Sequence, residues 1–334
     1  MYLKFTKVIR NLTIATALIG ITSTAISAQD IRIGAMREGS AWYIFAATLE
    51  QIIEPILGAN SVEVIARGGG VANPLVVQAG NAEIALSNVA SAVWAYEGAD
   101  VYDGRSAPDI RALVGGLNSV YVGVIARQDF LDSRGTTDLE QLLTSTDPIR
   151  VLMKPVGSSA VPVAAMIFES VGTSADEIRA NGGDIIQVGA GQIADQMRNN
   201  NADIYIDTML RGHPTITEVA LTVPVQFLDL PDGMEAVAAD NGLTIGSYGP
   251  WFEGQGDAGT IGANLGTVLI ASTALDDETA YLITKALIEN AEALKNSHGA
   301  WSRFDPSQAW TVINTGIPLH AGAERYYREI GLIE

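Results

Sequence analysis

Ile31-Arg32-Ile33-Gly34-Ala35-Met36-Arg37-Glu38-Gly39-Ser40-Ala41-Trp42-Tyr43 reads as a strand that runs through a small-residue turn towards a helix. The β-rich apolar run at 31–35 predicts the strand, and the apolar period over 46–56 predicts the helix. A helix start at a strand end leaves unpaired N–H groups facing a crevice, which suits a carboxylate. Ser40, Trp42 and Tyr43 are therefore candidate ligand contacts, set against the plainer reading of a strand-to-helix loop with two aromatics packed in the core.

The same unit recurs along the chain. Strands are expected at 61–66, 83–87, 110–114 and 121–126, with helices at 73–78 and 91–96. A second series has strands at 149–153, 185–188, 202–207 and 223–228, and helices at 159–170 and 192–199. A β-branched strand at 267–271 and a helix over 276–294, acidic at its start, follow. This alternation defines an α/β chain, and about 300 residues suit two domains of roughly 150 each. The expected division is lobe I from 29–126 and 267–334, lobe II from 127–266, and a two-strand hinge near 126 and 267. A cleft between two such lobes is a natural small-molecule site.

Other strand ends carry the remaining candidates. Arg67-Gly68-Gly69-Gly70-Val71-Ala72-Asn73 lets the backbone approach a ligand or form an N–H nest, although a flexible turn would look the same. Ser87 and Asn88 end the third strand, where Asn88 offers a donor and an acceptor or simply caps a helix. In the second series Lys154, Gly157, Ser158 and Ser159 form a strand-to-helix turn, and Thr208 and Arg211 lie in another. Lys154 is the favoured cation for a carboxylate, with Arg211 its rival.

Composition narrows the partners. Lys4, Lys7 and Arg10, an apolar stretch at 12–21 and Ala25-Ile26-Ser27-Ala28 predict a signal peptide over 1–28, its apolar run shorter than the roughly 20 residues of a membrane span. The formal net charge of -18 becomes -21 once the three leader cations are removed. Such acidity disfavours nucleic acid and anionic membranes, yet leaves room for a small anion held by local N–H groups. The chain has no cysteine, which excludes disulfides, thiolate metal sites, a cysteine nucleophile and a lipidated N-terminal cysteine. The expected localisation is free in the periplasm.

Catalytic patterns are weak. Gly254, Gly256 and Gly259 fit G-x-G-x-x-G, but Pro250-Trp251-Phe252-Glu253 precedes them and a strand is expected after them, which is not the dinucleotide context. His213, His298 and His320 have no metal-ligand spacing. Trp94, Tyr96 and Tyr102 suit core packing better than a ligand cage. No metal, cofactor or catalytic set is expected, and the chain is not expected to be an enzyme.

The end of the chain adds a family resemblance. Pro318-Leu319-His320-Ala321-Gly322-Ala323 followed by Tyr327-Arg328-Glu329 resembles the closing signature of TAXI solute receptors, the extracytoplasmic binding components of one branch of TRAP transporters. Gly68, Gly69 and Asn73 match that family's Gly-Gly-x-x-x-Asn turn, and Gly157-Ser158 matches its Gly-Ser turn. Arg67, Ala72 and Ala160 depart from its usual residues. The resemblance covers nearly all of 31–333 and implies a type II periplasmic binding protein, acting as a monomer, that delivers a small organic acid or amino acid, glutamate-like or a dicarboxylate, to TRAP permease subunits. A periplasmic enzyme or a ligand-presenting sensor on the same scaffold is the alternative.

Overall fold

The computed structural model describes residues 31–66 and 68–334, so the signal peptide expected at 1–28 lies outside the described residues, as does Arg67. Twelve strands occur among them: β1 (Ile31–Gly34), β2 (Val62–Ile65), β3 (Ile84–Ser87), β4 (Ile110–Val114), β5 (Tyr121–Arg127), β6 (Arg150–Met153), β7 (Asp184–Gln187), β8 (Ile204–Met209), β9 (Val225–Leu228), β10 (Thr244–Tyr248), β11 (Thr260–Asn264) and β12 (Val268–Ser272). They form two sheets. The first has the order β2-β1-β3-β12-β4, and the second β10-β11-β5-β8-β6-β7, with β9 also on β5. Strands β1, β2 and β3 are parallel, as short crossover helices require, and every residue of β3 is buried between layers.

The passage between sheets precedes the point expected from sequence. β5 was expected to be the passage itself near residue 126, but it pairs with β8, β9 and β11 inside the second sheet. The chain therefore crosses at 115–120 and returns at 265–267. The two crossing segments are tied together: Leu265 N–H donates to the Val120 carbonyl at 2.7 Å and Leu117 N–H to the Thr267 carbonyl at 3.2 Å.

The first helix starts earlier than its apolar period suggested, at Ala41, because Ser40 caps it by accepting from Tyr43 N–H at 3.3 Å. Trp42 thereby enters the first helical turn. The helix expected over 276–294 is two, Asp277–Glu289 and Ala291–Ser297, divided at Asn290, whose side chain donates to the Ala286 carbonyl at 2.8 Å.

The closing signature is a clasp on the first sheet. Ala112 N–H donates to the Pro318 carbonyl and His320 N–H to the Ala112 carbonyl, both at 2.9 Å, which draws the segment alongside β4. His320 Nε2 meets the Leu275 carbonyl at 3.1 Å, and Tyr327 hydroxyl donates to the Leu113 carbonyl at 3.0 Å. Gly322 sits where a Cβ would come within 2.1 Å of the Asp277 carbonyl, so only glycine lets the helix Ala321–Glu329 approach so closely. Glu324 and Arg328, one turn apart, form an ion pair at 2.5 Å.

Candidate functional site

The C-terminal ends of β1 and β3 and the glycine turn after β2 face the ends of β6 and β8 across the gap between the sheets. Met36, Ser40, Trp42, Gly70 and Asn88 from one side meet Lys154, Ser158, Ser159, Thr208 and His213 from the other around a space of about 20 Å³. That volume holds about one water and no organic acid, so a solute enters only when the lobes part.

Three hydrogen bonds hold the lobes together here. Val71 N–H donates to the Gly157 carbonyl at 3.1 Å, Ser159 Oγ donates to Asn88 Oδ1, and Trp94 Nε1 donates to the Asn241 carbonyl at 2.8 Å. The approach is as close as backbone allows. A Cβ on Gly69 would lie 2.5 Å from the Gly157 carbonyl, and one on Gly70 would lie 1.7 Å from Ser159 Oγ. Asn88 also donates to the Gly266 carbonyl at 2.8 Å, so one side chain joins the strand end, the opposite lobe and the returning hinge segment.

Lys154 is not a free cation. Its ammonium lies 2.8 Å from Asp207 Oδ2 and 3.2 Å from His213 Nε2, and both members of the ion pair are almost wholly buried. Asp207 Oδ2 also accepts from the Tyr205 hydroxyl, and Oδ1 accepts from Thr208 N–H at 2.7 Å. Burial pushes the Asp207 carboxyl up, but the Lys154 charge and these hydrogen bonds outweigh it and hold it below the usual carboxylate range. Burial, helped by the Lys154 charge, pushes His213 down to about 3, so its ring is neutral near pH 7. The cluster is electrically balanced. His213 Nδ1 accepts from Ile216 N–H at 3.4 Å, and Lys154 lines the gap as the cation nearest a solute there.

The other sequence candidates divide by position. Asn73 is saturated inside its own lobe: Nδ2 donates to the Leu86 carbonyl at 2.7 Å and to the Ala35 carbonyl at 3.2 Å, while Oδ1 accepts from Gly69 N–H at 3.0 Å. It shapes the glycine turn, as do Gly68 and Gly69, with φ of 101° and 150°. Ser87 turns its hydroxyl onto the Asn88 carbonyl, and Tyr43, half-buried, lines neither this gap nor the cavity described next. Gly157 presents its carbonyl to Val71. Tyr102, from the aromatic set, donates to the Val71 carbonyl at 2.8 Å and so supports the turn from behind.

Arg211 and Lys154, weighed as rivals for one carboxylate, line different cavities. Arg211 belongs to a larger one of about 480 Å³ beside the hinge, with Asn118, Ser119, Tyr121, Trp251 and Arg303 among its walls. Sequence reasoning passed over Met36, Gly70 and His213 as gap-lining residues, and Asp207 as the partner of Lys154. A carboxylate in the apolar run Ile204-Tyr205-Ile206-Asp207 was the available signal, because a charge buried in a strand requires a partner.

The two sheets, paired crossings and facing strand ends make the two-lobed fold of periplasmic solute-binding proteins. Residues 33–331 match the NMT1-like family, and the chain belongs to it. Two solved structures share the fold. MatC from Rhodopseudomonas palustris, with bound malate, is 14% identical over 92% of this chain and 99% of its own, with a TM-score of 0.54. A protein of Bordetella bronchiseptica RB50 is 14% identical over 92% of this chain and 90% of its own, with a TM-score of 0.51.

Proposed function

We propose that this chain is an extracytoplasmic solute receptor that closes over a small organic acid or amino acid and hands it to a membrane permease of the TRAP type. The observation that carries the reading is the convergence of strand-end turns from both lobes on one gap, with helix starts at Ser40 and Ser159 and with Lys154 among its walls. Family membership, the signal peptide expected at 1–28 and the TAXI-like closing motif support it, and MatC on the same fold is seen with bound malate. The ligand is a carboxylate because the gap supplies donors and a cation. Since Asp207 balances Lys154, an amino acid or hydroxy acid with a donor of its own suits the cluster better than a bare polyanion.

Division of labour follows the sheets: lobe I from the first sheet, lobe II from the second, hinge at 115–120 and 265–267. Thermal-shift screening of organic acids, amino acids, sugars and metal salts tests the reading, because a ligand of the folded state raises the melting temperature. Carboxylates are expected to raise it, and Thr208→Val is expected to diminish that rise. Shifts from neutral sugars or metal ions alone would overturn the assignment.

A further inference from the structure

The hinge-side cavity is distinct from the strand-end gap, and the crossing segment stands between them. Along residues 118–121, Val120 lines the gap while Asn118, Ser119 and Tyr121 line the hinge-side cavity. Its volume of about 480 Å³ falls in the range of small-molecule pockets.

Its chemistry is unlike the rest of the protein. The chain carries 38 acidic and 20 basic residues, yet no Asp or Glu lines this cavity and two arginines do. Neither Arg211 nor Arg303 forms a salt bridge among the described residues. They come from opposite lobes, and the Arg211 stem lies against Gly299, where an added Cβ would be 3.3 Å away. Two buried polar groups in the wall lack partners. Asn118, 8% exposed, has an unpaired Oδ1, and fully buried Thr267 has an unpaired Oγ1. A buried acceptor without a donor costs on the order of 1–3 kcal/mol, which a ligand hydroxyl or amine reaching Asn118 Oδ1 from the cavity would offset. An aromatic wall closes one side, with Tyr248 stacked on Tyr121 at 5.2 Å and tilted against Trp251 at 5.4 Å.

We infer that this cavity is a second binding site, for a hydroxylated dicarboxylate whose carboxylates meet Arg211 and Arg303 and whose hydroxyl donates to Asn118 Oδ1. Because it touches both lobes and both hinge segments, its occupant cross-links them from behind the strand-end gap.

Tartrate and succinate are the probes, equal in carbon skeleton and charge and different in hydroxyls, measured by titration calorimetry on the wild type, Arg303→Ala and Ser159→Ala. Tartrate is expected to bind the wild type at least about tenfold more tightly than succinate, since a site with unpaired acceptors rejects an analogue lacking the donor. Arg303→Ala is expected to weaken tartrate by about tenfold or more, and by more than Ser159→Ala at the strand-end gap does. Loss in Ser159→Ala with none in Arg303→Ala would place tartrate in the strand-end gap, overturning this inference while sustaining the proposed receptor. Equal affinity for the two acids, or no tartrate binding, would overturn it too, with the thermal-shift screen still free to decide the receptor reading.

Discussion

Lys154 and Asp207 show why residue type at a strand end does not reveal its task. The lysine was legible as a cation near a turn, but its partner lies more than fifty residues away, and only the parallel packing of β6 beside β8 brings the two to 2.8 Å. Removing one member strands a buried charge, so Lys154→Ala is expected to cost about 3–5 kcal/mol in urea unfolding. Lys154→Ala/Asp207→Ala should cost clearly less than the sum of the single variants. Additive losses would contradict the pairing. His213 adds a pH dependence with a definite sign. Its folded pKa of about 3 lies below the ordinary 6.5, so the unfolded chain binds the proton first as pH falls. The penalty is absent above pH 6.5, grows as pH falls below it, and levels off near 3. At pH 4.5 it amounts to about 3 kcal/mol. His298 and His320 shift in the same direction, so the comparison is between the wild type and His213→Gln, whose stability should fall less between pH 7 and 4.5. An identical fall in both proteins would contradict it.

At the scale of elements, strands buried on both faces were the legible part, because continuous apolar runs bounded by glycine leave little choice. The short helices Gln128–Arg134, Leu139–Thr144, Ala175–Ala180, Pro214–Thr222 and Met234–Asp240 were not seen. Met234–Asp240 buries only Met234 and Ala238, one turn apart, too little apolar pattern to stand out in a Gly, Asp and Asn-rich stretch. The hairpin of β10 and β11 was also missed as a pair, since β10 is an edge strand with mostly polar or half-exposed residues. The strand β11 that follows Gly254, Gly256 and Gly259 agrees with the rejection of a dinucleotide loop there. The closing motif was legible as a signature, whereas its clasp on β4 depends on contacts two hundred residues apart. Gly322→Ala is expected to lower stability by about 1–3 kcal/mol, since the clash is with the Asp277 backbone and cannot be relieved by a rotamer. An unchanged melting temperature would mean the helices sit farther apart.

For the whole molecule, the lobe contacts set the cycle of opening and closing. The gap between them admits about one water in this closed arrangement, so uptake requires the hydrogen bonds at Gly157, Asn88 and Asn241 to break. A ligand favours closure only by as much as its contacts differ between the two states. Gly70 offers a direct handle. A methyl there meets Ser159 of the opposite lobe at 1.7 Å and Asn88 Oδ1 of its own lobe at 2.5 Å, and the position does not demand positive φ, so Gly70→Ala should oppose closure once the Asn88 side chain turns aside. Small-angle scattering is the most direct measurement, made on the wild type and Gly70→Ala with and without a saturating carboxylate that shifts the wild-type melting temperature. The expected result is a radius of gyration that falls on ligand addition in the wild type and falls less in Gly70→Ala. A radius unchanged by ligand in the wild type would contradict closure over a solute held between the lobes.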